Sequence, residues 1–143
     1  MKIFDFGVSH NPQHIRRASN KLGFKGTPRY MANEVRNPVK TNSYGLSADV
    51  YLFGVRLWEI YTLQHLFSKM KSLQDYKMLV VFEKMRPNLD LVKHNHLQKM
   101  IATCWNADPE IRLLFVGVRM ELEQFVKYKI VNYLKTLNGS STS

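Results

Sequence analysis

SADVYLFGVRLWEIY, residues 47–61, is the stretch on which the fold of this 143-residue chain turns. Val50, Phe53, Gly54, Leu57, Trp58 and Tyr61 recur at i, i+3, i+4, i+7, i+8 and i+11, one continuous face of an α-helix. Ser47 has the side chain of an N-cap, and Asp49 falls in the first turn, where the helix dipole favours a carboxylate. Leu52, Val55 and Ile60 make the other faces apolar too, with Arg56 the main exception. A helix apolar nearly all round is expected to be buried on several sides.

Three more helices are expected C-terminal to it. One runs from Ser72, a second candidate N-cap, to about Lys84, with Leu73, Tyr76, Leu79, Val80 and Glu83 on one face. Another spans about His96 to Trp105 and turns Leu97, Met100, Ile101, Cys104 and Trp105 inward. The last starts near Leu113 and reaches about Leu137, with Phe115, Val118, Leu122, Phe125 and Val126 inside. Residues 138–143 read as a disordered polar tail without a lipidation signal. On the N-terminal side, residues 2–6 read as a short strand released by Gly7. From Val8 to about Lys25 no period holds, which predicts a long surface loop. The expected fold class is therefore mainly α, with one short N-terminal strand.

Composition sets the outer bounds. The chain is long enough for one domain with its own core, and 45% apolar with 12% aromatic residues argues against disorder. Cys104 is the one cysteine, so no internal disulfide exists, and a reducing cytoplasmic or nuclear setting is the simple expectation. No secretory signal is visible, and the longest purely apolar run, Met78 to Phe82, is far too short for a membrane span. The net charge of +10 is open to a nucleic-acid reading, but the basic residues are scattered without a run of five. A solvated, lysine-rich exterior accounts for them; a nucleic-acid partner would rest on charge alone.

Four signatures stand in order along the chain: DFG at Asp5-Phe6-Gly7, GTPRYMANE at Gly26–Glu34, DVYLFGVRLWE at Asp49–Glu59 and CWNADPEIR at Cys104–Arg112. Together, over Lys2 to about Phe125, they resemble the helical C-terminal lobe of a protein-kinase domain. The resemblance is strongest to Ser/Thr kinases of the tyrosine-kinase-like group. Residues 1–137 would then be a partial kinase domain comprising the DFG strand, the activation-segment loop and four main helices.

What the resemblance implies has a physical logic. Phosphoryl transfer is catalysed mainly by positioning and by neutralising phosphate charge, which Mg²⁺ does. Asp5 would hold the Mg²⁺ of bound ATP through a hard carboxylate oxygen, Phe6 would pack into the core, and Gly7 would let the backbone turn. Alone, the same acid would be an ordinary strand-to-turn exit. Thr27 would place a hydroxyl close to the catalytic aspartate of the intact domain, and Pro28, Arg29, Tyr30 and Met31 would form the wall receiving the residue beside the acceptor. GTPRYM favours a Ser or Thr acceptor in a protein substrate. Glu34 and Arg112 would form a buried ion pair, Asp49 would cap backbone amides near the catalytic loop, and Trp58 would fill the core beneath the activation segment. Gly54 and Trp105 would be architectural. Phosphate orders such loops by pairing with arginine. The family's commonest phosphosite position is occupied by Gly23, which leaves Ser19 and Ser9, with Thr27 a weaker acceptor and a merely solvated serine the alternative.

Several positions depart from the pattern. Asn33 replaces a proline, though Asn can still cap the turn that follows. Leu52 replaces a small polar residue, Leu66 stands where HPF is commoner, and Leu113 replaces a proline. Such relaxed positions lean toward a pseudokinase-like docking module. His10 with His14, and His94 with His96, lack partners at metal spacing. Cys104, beside Trp105 in an apolar helix, reads as core rather than nucleophile.

The 143 residues contain no glycine-rich loop, no VAIK-like lysine, no helix-C glutamate and no HRD loop with its asparagine. The expectation is therefore a kinase domain cut just before its metal-binding motif, through a truncated reading frame, an internal start or a degenerate copy. No residue here would be catalytic, and ATP and Mg²⁺ would not bind usefully to this chain alone. The helix at Asp49, lacking a neighbour, would expose apolar side chains and drive association with a docking partner.

Overall fold

The structure is a computed structural model and describes residues 28–36, 45–68, 72–76, 78, 80 and 85–139. The expected strand at 2–6 and the loop at 8–25 lie outside them. Among the described residues all regular structure is helical: α1 (Asn33–Arg36), α2 (Leu46–Thr62), α3 (Leu73–Tyr76), α4 (Asn95–Cys104) and α5 (Phe115–Gly139). Single 3-10 turns stand at Pro28–Tyr30, Leu89–Leu91 and Pro109–Ile111. This is the mainly helical architecture that the sequence implies.

The core forms where α2 crosses α4. Val50, Tyr51, Gly54, Val55 and Trp58 of α2 are buried, and so are Leu97, Met100, Ile101 and Cys104 of α4 with Trp105 just beyond it. Gly54 marks the crossing. A Cβ placed there would come 2.7 Å from the Cβ of Cys104 and 3.3 Å from the backbone nitrogen of Trp105. The two helices approach closely only because position 54 has no side chain.

The buried face of α2 is rotated from the expected stripe. Tyr51 and Val55 are inside, whereas Phe53 and Leu57 are half-buried and Leu52, Ile60 and Tyr61 are exposed. The helix also starts earlier than expected. Gly45 is the N-cap, without a side-chain bond, and Ser47 lies inside the first turn. At the other end Leu63 closes α2 in the left-handed region with φ 54°, a conformation that costs a non-glycine residue roughly 1–2 kcal/mol.

Ser72 does cap α3. The Asp75 backbone N–H donates to Ser72 Oγ at 3.0 Å, and the Ser72 N–H donates to Asp75 Oδ2 at 3.1 Å, a reciprocal capping box. Of the longer helix expected here, only Met78 and Val80 are described beyond Tyr76, and Val80 is fully buried. The α5 helix packs on α4 through Val118, with Leu122 and Phe125 half-buried against the core. Phe115 and Val126, expected inside, are about half exposed because only one side of α5 meets the body.

Adding a methyl at the crossing tests this account. Gly54→Ala is expected to lower the free energy of unfolding by about 1–3 kcal/mol in urea titration, the usual cost of overpacking against backbone. An unchanged midpoint would show that the close approach of α2 to α4 is not a constraint.

Candidate functional site

The most densely bonded place in the structure is Arg112, which follows the turn Pro109–Ile111. Its side chain is fully buried, so its five donors must find acceptors. Nη1 donates to Glu34 Oε1 at 2.5 Å and Nη2 to Glu34 Oε2 at 3.0 Å, a bidentate pair. Nη1 also donates to the Ser47 carbonyl at 2.9 Å, and Nε donates to the Asn106 carbonyl at 2.8 Å. One guanidinium thereby joins α1, the first turn of α2 and the turn after α4. It also lies 5.1 Å from the centre of the buried Tyr51 ring, while Arg86 sits 5.5 Å from the same ring.

The segment just before α1 is held from the other end of α2. Tyr30 Oη donates to Glu59 Oε1 at 3.4 Å, and the Arg56 guanidinium lies 3.8 Å over the Tyr30 ring. Glu59 also pairs with Arg56 at 2.8 Å and accepts the Leu66 backbone N–H at 2.7 Å. That last bond gives Leu66 a physical rationale: proline at this position would have no N–H to donate. Leu66 is fully buried, so it also adds to the core.

Trp58 is buried, and its indole N–H donates to the Asn88 carbonyl at 3.0 Å. Gly54 and Trp105 lie at the helix crossing. Asp49 is exposed and makes no hydrogen bond or ion pair among the described residues; desolvation by the surrounding chain raises its pKa above the ordinary carboxyl value. Burial pushes the Cys104 thiol up to about 11, so at neutral pH it stays protonated and is no nucleophile. Arg29 is exposed at the turn Pro28–Tyr30. Asp5, Phe6, Gly7, Ser9, Ser19, Gly26 and Thr27 lie outside the described residues.

Asn33 does not cap. It is the first residue of α1, and its buried Oδ1 has no hydrogen-bond partner among the described residues. Leaving such an acceptor unsatisfied costs about 1–3 kcal/mol. Proline fits a first helical position without that penalty.

Glu59, Arg56 and Arg86 were not singled out as site residues from sequence. Arg86 donates through Nε to the Trp105 carbonyl at 3.1 Å and through Nη1 to the Met85 carbonyl at 2.9 Å, fixing the end of α4. The partners of Tyr30 and Trp58 lie about thirty residues away, beyond the reach of any local pattern.

Two substitutions measured side by side in urea test these contacts. Arg112→Met is expected to lose about 3–5 kcal/mol, because Glu34 keeps a buried, unpaired charge. Asn33→Pro is expected to gain about 1 kcal/mol or more by removing the orphaned amide oxygen. A stability change below about 1 kcal/mol for Arg112→Met would remove its central place.

Comparison with known proteins places these features in a family. Residues 1–122 match the profile of protein tyrosine and serine/threonine kinases. The chain is 33% identical over 127 residues to the dual specificity protein kinase shkA of Dictyostelium discoideum, covering 88% of this chain and 24% of that protein. It is 32% identical over 139 residues to shkC of the same organism, covering 97% and 26%. Against the serine/threonine-protein kinase STY17 of Arabidopsis thaliana the identity is 30% over 128 residues, covering 89% and 21%. The chain thus spans about a quarter of the length of these relatives.

Proposed function

Because this chain belongs to the protein kinase family, on its tyrosine-kinase-like side, we propose that it is the substrate-facing, helical part of a domain that phosphorylates protein Ser or Thr. In that reaction the acceptor hydroxyl oxygen bonds to the γ-phosphorus of ATP, the bond to the ADP oxygen breaks, and the hydroxyl proton passes to a base. The observation that carries the reading is the two-ended clamp on the segment from Pro28 to Glu34. Arg112 fixes its end through Glu34, and Glu59 with Arg56 fixes Tyr30. A wall anchored in this way to α2 orients a peptide without touching the phosphate.

Asp5 would hold the Mg²⁺ of ATP, which neutralises charge on the transferring phosphoryl group. Phe6 would pack into the core and Gly7 would let the backbone turn, Thr27 would place a hydroxyl close to the catalytic aspartate of the longer domain, and Ser9 or Ser19 would take a regulatory phosphate. The 143 residues by themselves contain no base, phosphate cradle or ATP-pairing lysine of the family pattern. The isolated chain therefore does not transfer phosphate, and we place its activity in a longer cytoplasmic or nuclear protein.

A docking role has its own support on α2. Ile60 is 70% exposed and Leu63 89%, and they stand with Leu52 on the side of the helix away from α4. Exposed apolar surface of this kind invites a covering partner. No helix among the described residues is long and apolar enough to cross a membrane.

Radiolabelled ATP separates the two readings. The isolated chain is expected to give no labelled acceptor, while the native protein recovered from cells labels Ser or Thr. Transfer by the isolated chain that vanishes in Asp5→Ala would overturn the assignment of catalysis to a longer protein. A native protein that labels nothing would leave docking as its function.

A further inference from the structure

The α5 helix outruns the body of the protein. Its first half is pinned: Val118 is buried, Glu121 pairs with His96 of α4 at 2.8 Å, and Phe125 and Tyr128 meet the His94 ring edge-on at 4.7 and 5.5 Å. Farther along, Val126, Ile130, Tyr133 and Leu134 are 50%, 53%, 66% and 51% exposed. Their spacing of four, three and one places them on one side of the helix.

This stripe does not begin in open solvent. It continues from a groove of about 360 Å³ between α2 and α5, walled by Phe53 on one side and by Phe115, Leu122 and Val126 on the other. The groove lining is almost wholly apolar; Arg119 and Glu123, paired at 3.6 Å, stand at its rim. Charge along α5 is uneven. Glu123 is the last acidic residue of the chain, and Lys127, Lys129 and Lys135, all exposed, follow it.

We propose that groove and stripe form one docking surface for an amphipathic helix of a partner protein whose apolar face is flanked by Asp and Glu. The groove is shallow, with Phe53 of α2 on one side and α5 on the other, and a helix can lie along it. From Phe115 to Leu134 the surface is about 28 Å long at 1.5 Å per residue, so a partner helix of roughly 20 residues covers it. Lys127 and Lys129, one on each side of the stripe, select an acidic partner by charge complementarity, while Lys135 stands on the opposite side of the helix. They disfavour a second copy laid parallel, which would bring lysine against lysine. The surface is distinct from the clamp on Glu34 and from the exposed side of α2 at Ile60, so it stands whether or not the domain is active.

Two labelled peptides of about 20 residues, with one leucine face and flanks of either Glu or Lys, are titrated with the full 143-residue chain by fluorescence anisotropy. The Glu peptide is expected to bind at least about tenfold tighter than the Lys peptide, and to weaken as salt is raised. Ile130→Glu is expected to weaken it about tenfold or more, and Lys129→Glu to narrow the preference between peptides. Both positions are exposed, and circular dichroism checks that each variant is folded. Equal affinity for the two peptides, or binding indifferent to Ile130→Glu, overturns the proposal. So does binding to phosphatidylserine vesicles without binding of the Glu peptide, which would make the surface a lipid site. A dimer that Ile130→Glu dissolves and the Glu peptide does not displace would assign the face to a second copy and overturn it as well.

Discussion

The guanidinium of Arg112 is the constraint on which the described structure depends. It is fully buried, and a buried cation is costly unless it is paired and hydrogen-bonded. Its acceptors come from three separate places: Glu34 in α1, the Ser47 carbonyl in α2 and the Asn106 carbonyl after α4. Of these segments α1, with only four residues, is too short to be fixed by apolar packing alone. The charge makes the arrangement specific, because a displaced segment would strand it in the core.

The rest of the architecture follows from how α2 divides its faces. Gly54 lets α4 lie against one side, so the Ile101 carbonyl, the Trp105 nitrogen and the Cys104 Cβ come up against α2. Glu59 at its far end gathers Tyr30, Arg56 and the Leu66 N–H, which ties the segment before α1 to the turn after the helix. The same helix therefore serves as core, as anchor and, through its exposed Ile60 and Leu63, as a surface still able to take a neighbour. In the family to which the chain belongs, a rigid helical lobe of this kind carries parts whose function is positioning.

Much of this was legible in the residues, for different reasons. Leu97, Met100, Ile101, Cys104 and Trp105 are all buried, as their spacing implies, because α4 has polar residues between them to mark its outer face. On α2 the apolar period has no unique direction. Phe53, Leu57 and Tyr61 match a helical stripe as well as Tyr51 and Val55 do, and only the close approach at Gly54 decides which set is inside. Ser47 carries a capping side chain, yet the cap falls on Gly45, whose carbonyl accepts the Ala48 N–H at 3.0 Å and opens the helix two residues earlier. Asn33 has the chemistry of a cap but sits where its oxygen is buried with no donor among the described residues. Glu59 and Arg86 act through partners far along the chain, and no short motif announces such bonds.

A double-mutant cycle between Glu34 and Arg112 tests the central claim most directly. Glu34→Gln, Arg112→Met and the double variant are unfolded in urea, and the coupling energy is taken from the cycle. A coupling of about 2–3 kcal/mol, with the double variant little worse than either single one, is the expected result for a pair that holds the segment to the helices. Additive losses, with coupling below about 0.5 kcal/mol, would mean that apolar packing positions the segment and that the ion pair only accompanies it.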